Sequence, residues 1–149
     1  MLTIGSTKRV DSKSSQHKPQ DSFGEDIKIT YLDLDKDADI IFDLNELPYP
    51  FKDDQFDGVL ASHVLEHLHP QKFIEIMKEI HRISKPDSKI LIYVPHFSDC
   101  ISKWHLTHYK LFGIKTLGVI CDNEDTGHEK YLRGYFNMEE KKDILYEEI

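Results

Sequence analysis

Residues 56–67, Phe-Asp-Gly-Val-Leu-Ala-Ser-His-Val-Leu-Glu-His, constrain the fold of this chain more than any other stretch. Phe56, Val59, Leu60 and Ala61 read as a buried strand, and Ser62, His63, Glu66 and His67 follow at its carboxyl end. Pro70 then opens a helix, in the first-turn position where its missing N–H costs nothing. Phe73, Ile74, Met77, Ile80 and Ile83 recur at helical spacing, while Gln71, Lys72, Glu75, Lys78, Glu79 and Arg82 take the other face. Pro86-Asp87 is the expected helix stop. Lys89-Ile90-Leu91-Ile92-Tyr93-Val94 is nearly continuous in apolar residues, the pattern of a strand covered on both faces. Strand, helix and strand in about 40 residues predict a βαβ unit with a parallel pair and a right-handed crossover. Ligands of open α/β sheets lie outside the carboxyl ends of the strands, so the polar cluster at residues 62–67 is the first place to look for a site.

The flanking sequence extends the same pattern. Leu2-Thr3-Ile4-Gly5 reads as a short strand ending at a glycine. Residues 7–26 are polar and lack either period, which predicts a mobile loop or a poorly formed helix. Residues 27–34 alternate as a second strand, with Ile27, Ile29, Tyr31 and Leu32 inward, and residues 39–44 form a third, shorter strand between acids. In the last third, a short helix is expected around residues 109–117 and an antiparallel strand pair at 131–138 and 143–147. The expectation is one small α/β domain, residues 1–149, built on an open, doubly wound, mainly parallel sheet of Rossmann-like type.

Composition sets limits on partners. Hydrophobic residues make up 39% and charged residues 31%, enough for a core and unlike a disordered chain. The longest apolar runs reach five or six residues, so no segment reads as a bilayer span, and residues 1–4 lack a signal-peptide pattern. Cys100 and Cys121 have no metal-type spacing, and a reduced, cytoplasmic protein is the expectation. Residues 25–57 carry eleven acids against three lysines, a balance equal to the whole chain's formal charge of −8. That region reads as a solvated acidic rim or as the surround of a cationic ligand. No basic patch marks a nucleic-acid partner, and no membrane partner is expected.

Residues 39–95 resemble the class I S-adenosylmethionine-dependent methyltransferases, in particular the type-11 branch. Five pieces in order carry the resemblance. They are Ile41-Phe42-Asp43-Leu44; Leu47-Pro48-Tyr49-Pro50-Phe51 with Asp53-Asp54-Gln55-Phe56-Asp57; Ser62-His63-Val64-Leu65-Glu66-His67-Leu68; Ile80-His81-Arg82-Ile83-Ser84-Lys85-Pro86; and Ile90-Leu91-Ile92-Tyr93-Val94-Pro95. The resemblance implies a seven-stranded sheet with S-adenosylmethionine across the carboxyl ends of its first four strands. It implies that Gly5 lets the backbone approach the methionine part, and that Asp33, with Asp35 as the nearby alternative, takes the two ribose hydroxyls. Asp43 would accept the adenine amino group, with Leu44 against the ring, and Ser62 and His63 would face the methionine part and the transferred methyl. Two pieces depart from the family pattern. After Gly5 the chain reads Ser6-Thr7-Lys8-Arg9-Val10, with no second glycine before Gly24, and Pro86-Asp87-Ser88 stands where the family usually has Pro-Gly-Gly.

Methyl transfer from a sulfonium is an in-line displacement with a neutral leaving group. Positioning supplies most of what it needs, roughly 7–11 kcal/mol, and a base matters only when the nucleophile must lose a proton. His63 is the candidate base. His96, His105 and His108 follow the strand ending at Pro95, near where the family binds its acceptor, and are the candidate substrate contacts. His63, His67 and His69, or His105 with His108 and the nearby His96, have spacings compatible with a metal, and the two groups could meet at the sheet's carboxyl edge. Loop histidines bonded to backbone are the simpler reading, and no metal is expected. Glu66 reads as a local cap or pair rather than a catalytic carboxylate, and Trp104 and Tyr109 as parts of a core lid rather than walls of an acceptor pocket. The function expected is S-adenosylmethionine-dependent methylation of an unidentified, small-molecule acceptor. The alternative is a non-catalytic, methyltransferase-like binding module with a degenerate cofactor loop.

Overall fold

The computed structural model describes residues 1–7, 19–113 and 116. Among these residues five parallel strands form one sheet: β1 (Leu2–Ile4), β2 (Thr30–Asp33), β3 (Ile40–Ile41), β4 (Phe56–Ser62) and β5 (Ser84–Tyr93), in the order β3-β2-β1-β4-β5. The helices are α1 (Pro19–Phe23), α2 (Phe73–Ile83) and α3 (Cys100–Trp104), with 3₁₀ turns at Leu65–His67 and Pro70–Lys72. The strand order reverses between β1 and β4. There the connections leave in opposite directions and open a crevice at the carboxyl edge. The doubly wound parallel sheet expected from the sequence is present.

The register explains both faces. Leu2 and Ile4 pair with Val59 and Ala61 of β4 on one side and with Thr30 and Leu32 of β2 on the other. Val59 and Ala61 in turn face Ile90 and Ile92 of β5. These residues share one face, and α2 covers it with Phe73, Ile76, Met77, Ile80 and Ile83. Each such side chain, fully buried, stabilises by about 1.5–3 kcal/mol. On the opposite face Leu60, Leu91 and Tyr93 form a second cluster with Phe23 of α1. Both faces of β4 and β5 are therefore covered, as their near-continuous apolar runs require.

Several elements differ from the sequence expectation. α2 ends at Ile83, before Pro86. Ser84 turns extended, its Oγ donates to the Ile80 carbonyl at 2.6 Å, and it already pairs with Phe56. The amides of Asp54 and Gln55 reach the Arg82 and Ile83 carbonyls at 2.9 Å each. Tertiary pairing thus claims the last turn before proline does. β2 and β3 are shorter than their alternating patterns, and Ile41 on the outermost strand is 61% exposed. Within residues 109–113 there is no helix. Phe112 instead makes a parallel bridge with His96, and a short helix lies earlier, at α3. Trp104 and Tyr109 are 83% and 54% exposed and do not form a core lid. The expected strands at 131–138 and 143–147, and Cys121, lie outside the described residues.

A polar network, buried at Glu79, fastens the loop before β4 to α2. Glu79 is 8% exposed and accepts the Tyr49 amide at 2.7 Å. Arg82 binds both Glu79 oxygens and also donates to the Phe51 carbonyl at 3.0 Å and to Asp53 at 2.6 Å. The Arg82 guanidinium holds Glu79 below the ordinary carboxylate range, against the opposing effect of burial. A depressed carboxylate stabilises the fold above its unfolded pKa and loses that contribution as pH falls through its folded pKa. Glu79→Gln is therefore expected to cost about 1.5–3 kcal/mol at neutral pH. The gap to wild type should narrow in acid, once Glu79 is protonated in both folded and unfolded chains. Urea melts across pH will show this.

Two positions with positive φ give opposite predictions. Gly5 has φ +71°, and a Cβ there would lie 2.3 Å from the Val64 side chain. Gly5→Ala should destabilise by about 1–3 kcal/mol, from crowding and left-handed strain together. Asp87 has φ +61°, a conformation that asparagine, aspartate and above all glycine tolerate. This is the position where the resemblance leads one to expect glycine. Asp87→Gly should be neutral or stabilising, by up to about 1 kcal/mol, in thermal or urea melts.

Candidate functional site at the carboxyl edge

The carboxyl edge is built one level at a time. Ile4 pairs with Leu32 and with Ala61, so Gly5, Asp33 and Ser62 emerge at one level on neighbouring strands. Backbone bonds carry the ladder slightly further: the Gly5 amide donates to Leu32 at 3.0 Å, Phe42 to Asp33 at 2.9 Å and His63 to Tyr93 at 2.9 Å. Gly5 turns away through its positive φ directly against Val64, which begins the turn after β4. The glycine is therefore required by the close approach of these two loops.

The acidic residues are held by their own loops. Asp33 Oδ1 accepts the Asp35 amide at 2.8 Å, and Asp35 Oδ1 accepts the Asp37 amide at 2.9 Å. Two successive Asx turns thus fix both carboxylates at the end of β2. Asp43 Oδ1 accepts the Asn45 amide at 2.9 Å and its side-chain nitrogen at 3.1 Å. Asn45 then ties this loop to the start of α2, taking the His69 amide at 2.9 Å and the Lys72 Nζ at 2.8 Å. Leu44 is 6% exposed and packs into the main core. Leu34, immediately after Asp33, is 65% exposed. Its place directly after Asp33 is the sequence sign of this apolar surface.

After β4 the backbone makes a strained corner at His63, which has φ +50° and a half-exposed side chain. Non-glycine residues held in this region cluster at functional sites. Glu66, three residues on, is 1% exposed. Its Oε1 lies 3.7 Å from His63 Nδ1 and 4.0 Å from His67 Nε2. Among the described residues its Oε2 has no hydrogen-bond partner. Glu66 thus lies within ion-pair reach of both rings, should they carry a proton, and it caps no helix.

The Glu66 carbonyl also accepts the amides of Tyr109 at 2.8 Å and Lys110 at 3.3 Å, which brings the later histidines alongside. His67, His105 and His108 stand together, with ring centroids 4.5–5.5 Å apart. Burial pushes the His108 imidazole below the ordinary histidine range, with Glu66 opposing that shift. His69 stacks on Tyr109 outside this group. His96 is bonded through Nδ1 to Ser98 Oγ at 2.7 Å and stands apart from the trio. Of the three histidines expected to contact substrate, two are therefore neighbours and the third is not among them.

Comparison with known proteins agrees with this architecture. A family model described as a methyltransferase domain matches residues 13–92, just over half of the chain. The matched segment contains Asp33, Asp43, Ser62, His63 and Glu66, while Gly5 precedes it and His96, His105 and His108 follow it. The uncharacterized protein MJ0638 of Methanocaldococcus jannaschii is 32% identical over 95 residues, which cover 59% of this chain and 41% of that protein. A crystal structure of a SAM-dependent methyltransferase from Archaeoglobus fulgidus has the same fold, with a TM-score of 0.61 at 24% identity over 78% of this chain and 56% of that one. The chain thus spans about two fifths to just over half the length of these two proteins. Among the described residues no helix is long and apolar enough to cross a membrane. With its sheet order and the matched residues on one edge, the chain belongs to the class I S-adenosylmethionine-dependent methyltransferases, in the type-11 branch.

Proposed function

We propose that this chain is a single methyltransferase domain that binds S-adenosylmethionine at its carboxyl edge and transfers the methyl group to a small-molecule acceptor. The observation that carries the reading is the common level of Gly5, Asp33 and Ser62 at the β1–β4 crevice, with His63 at the next residue. In this reading Asp33 takes the ribose hydroxyls, since a carboxylate offers two acceptors to two adjacent donors. Asp35 stands one Asx turn away as the alternative. Asp43 takes the adenine amino group, and the exposed Leu34 supplies apolar surface for the ring, with Leu44 supporting it from the core. The buried Glu66 carboxylate, with Asp33, Asp35 and Asp43 at the strand ends, gives the edge a negative field suited to a sulfonium cation.

His63 is the residue assigned to the acceptor's proton. Glu66 lies close enough to orient its ring and to favour the imidazolium once a proton has been taken. The chain's main contribution to rate is alignment of nucleophile, methyl and sulfur. His96, His105 and His108 lie on the segment after β5 and are assigned to the acceptor side.

Isothermal titration with S-adenosylmethionine and S-adenosylhomocysteine tests the cofactor assignment. Wild type is expected to bind both. Asp33→Ala should weaken binding by roughly 10–100-fold, as expected for losing charge-assisted hydrogen bonds. His63→Ala should leave S-adenosylhomocysteine affinity within a few-fold. No heat from wild type at millimolar ligand would eliminate the proposal. Unchanged affinity in Asp33→Ala would eliminate the ribose assignment.

A further inference from the structure

We propose that His67, His105 and His108 form a site for one divalent transition-metal ion of the zinc class, with a coordination position left open. Each ring offers a nitrogen, and these nitrogens all lie within 4.8 Å of one another. Around tetrahedral zinc, bonds near 2.1 Å put neighbouring ligand nitrogens about 3.4 Å apart. Closing the trio therefore takes a shift of little more than an ångström, and His105, exposed to solvent, has room to turn.

The surroundings of the rings support this use. His67 Nδ1 lies 3.1 Å from the Thr107 carbonyl and 2.8 Å from the Thr107 hydroxyl, and His105 Nδ1 lies 2.9 Å from the same hydroxyl. If both rings carry their proton on Nδ1, Thr107 accepts from each and both Nε2 lone pairs are left for a ligand. A metal-bound histidine almost always donates its other N–H in this manner, to a carbonyl or similar acceptor. His108 is bonded to the Ser102 backbone, and its Nδ1 is buried without a partner among the described residues. Glu66 Oε2 is a second buried atom in the same state, and Glu66 Oε1 lies 4.0 Å from His67 Nε2. The orphaned His108 Nδ1 is an acceptor that a bound cation would satisfy, and the buried Glu66 side chain nearby favours positive charge at the trio.

The scaffold is also built in advance. The Tyr109 and Lys110 amides clamp residues 105–110 onto the Glu66 carbonyl, so the ligands on separate segments are held in register. Imidazole donors favour zinc, copper or nickel over magnesium or calcium. Three protein ligands with a fourth position open to solvent is the arrangement of zinc sites that engage a substrate or water.

The test uses the full chain, freed of any histidine tag and stripped with a chelator, titrated with zinc and separately with cobalt(II). One zinc per chain is expected, with cobalt giving the strong visible absorption of tetrahedral coordination. His105→Ala should weaken zinc binding by more than about 100-fold, and Thr107→Val by roughly 10–100-fold, the usual effect of an outer partner. His81→Ala, exposed on α2, serves as the control and should bind as wild type does. Should His108→Ala fail to fold, His105→Ala decides, because its side chain lies at the surface. Absence of stoichiometric zinc binding, or wild-type affinity in His105→Ala, overturns the proposal. The titration needs no S-adenosylmethionine, so its outcome is separate from that of the proposed methyl transfer.

Discussion

Three residues hold the two halves of this sheet together. Leu2, Thr3 and Ile4 hydrogen-bond to β2 along one edge and to β4 along the other, and all three are fully buried. Their register determines which residues surface together at the carboxyl edge. A slip of one residue would invert the faces and separate Gly5 from Asp33 and Ser62. The strand can be this short because it is central, with partners on both sides and side chains packed on both faces. Gly5 then ends it in a conformation and a space that no larger residue suits.

The second organising element is Glu66. Its carboxylate lies between His63 and His67, and its carbonyl anchors the segment that brings in His105 and His108. A buried carboxylate is costly unless positive charge or donors answer it. His63, 3.7 Å away, answers it when protonated, and the proposed cofactor sulfonium and the proposed metal would each do the same. One residue, Glu66, thus touches both the corner at His63 and the histidine trio, although these belong to different parts of the sequence.

Much of this architecture was readable from the chain. Residues 56–67 and 73–94 declared a strand, a helix and a strand because both periods were strong and the elements local. The motif resemblance supplied the acids at the strand ends, which no periodicity could have done. The end of α2 was misplaced because Pro86 is a visible stop, whereas the pairing of Ser84 with Phe56 is not. The lengths of β2 and β3 were overestimated, since alternation continues past the residues that find a partner. Glu66 was undervalued because glutamate is rarely buried. The histidine trio was legible only as two short groups, without a sign of which members meet, for a different reason. His67 and His105 are distant in sequence, and it takes the amides donated to the Glu66 carbonyl and the contacts of Thr107 with both rings to bring them together. Trp104 looked like core material, yet the sequence carries no sign of which aromatics a loop leaves in water.

The central claim is that the β1–β4 crevice is where the cofactor binds. Backbone amide shifts followed by NMR during titration with S-adenosylhomocysteine address it without knowledge of the acceptor. The account predicts saturable shifts concentrated at Gly5, Leu34, Asp35, Asp43, Ser62 and His63, with the amino end of the sheet unmoved. Saturable shifts that avoid these residues, or none at millimolar ligand, would contradict it.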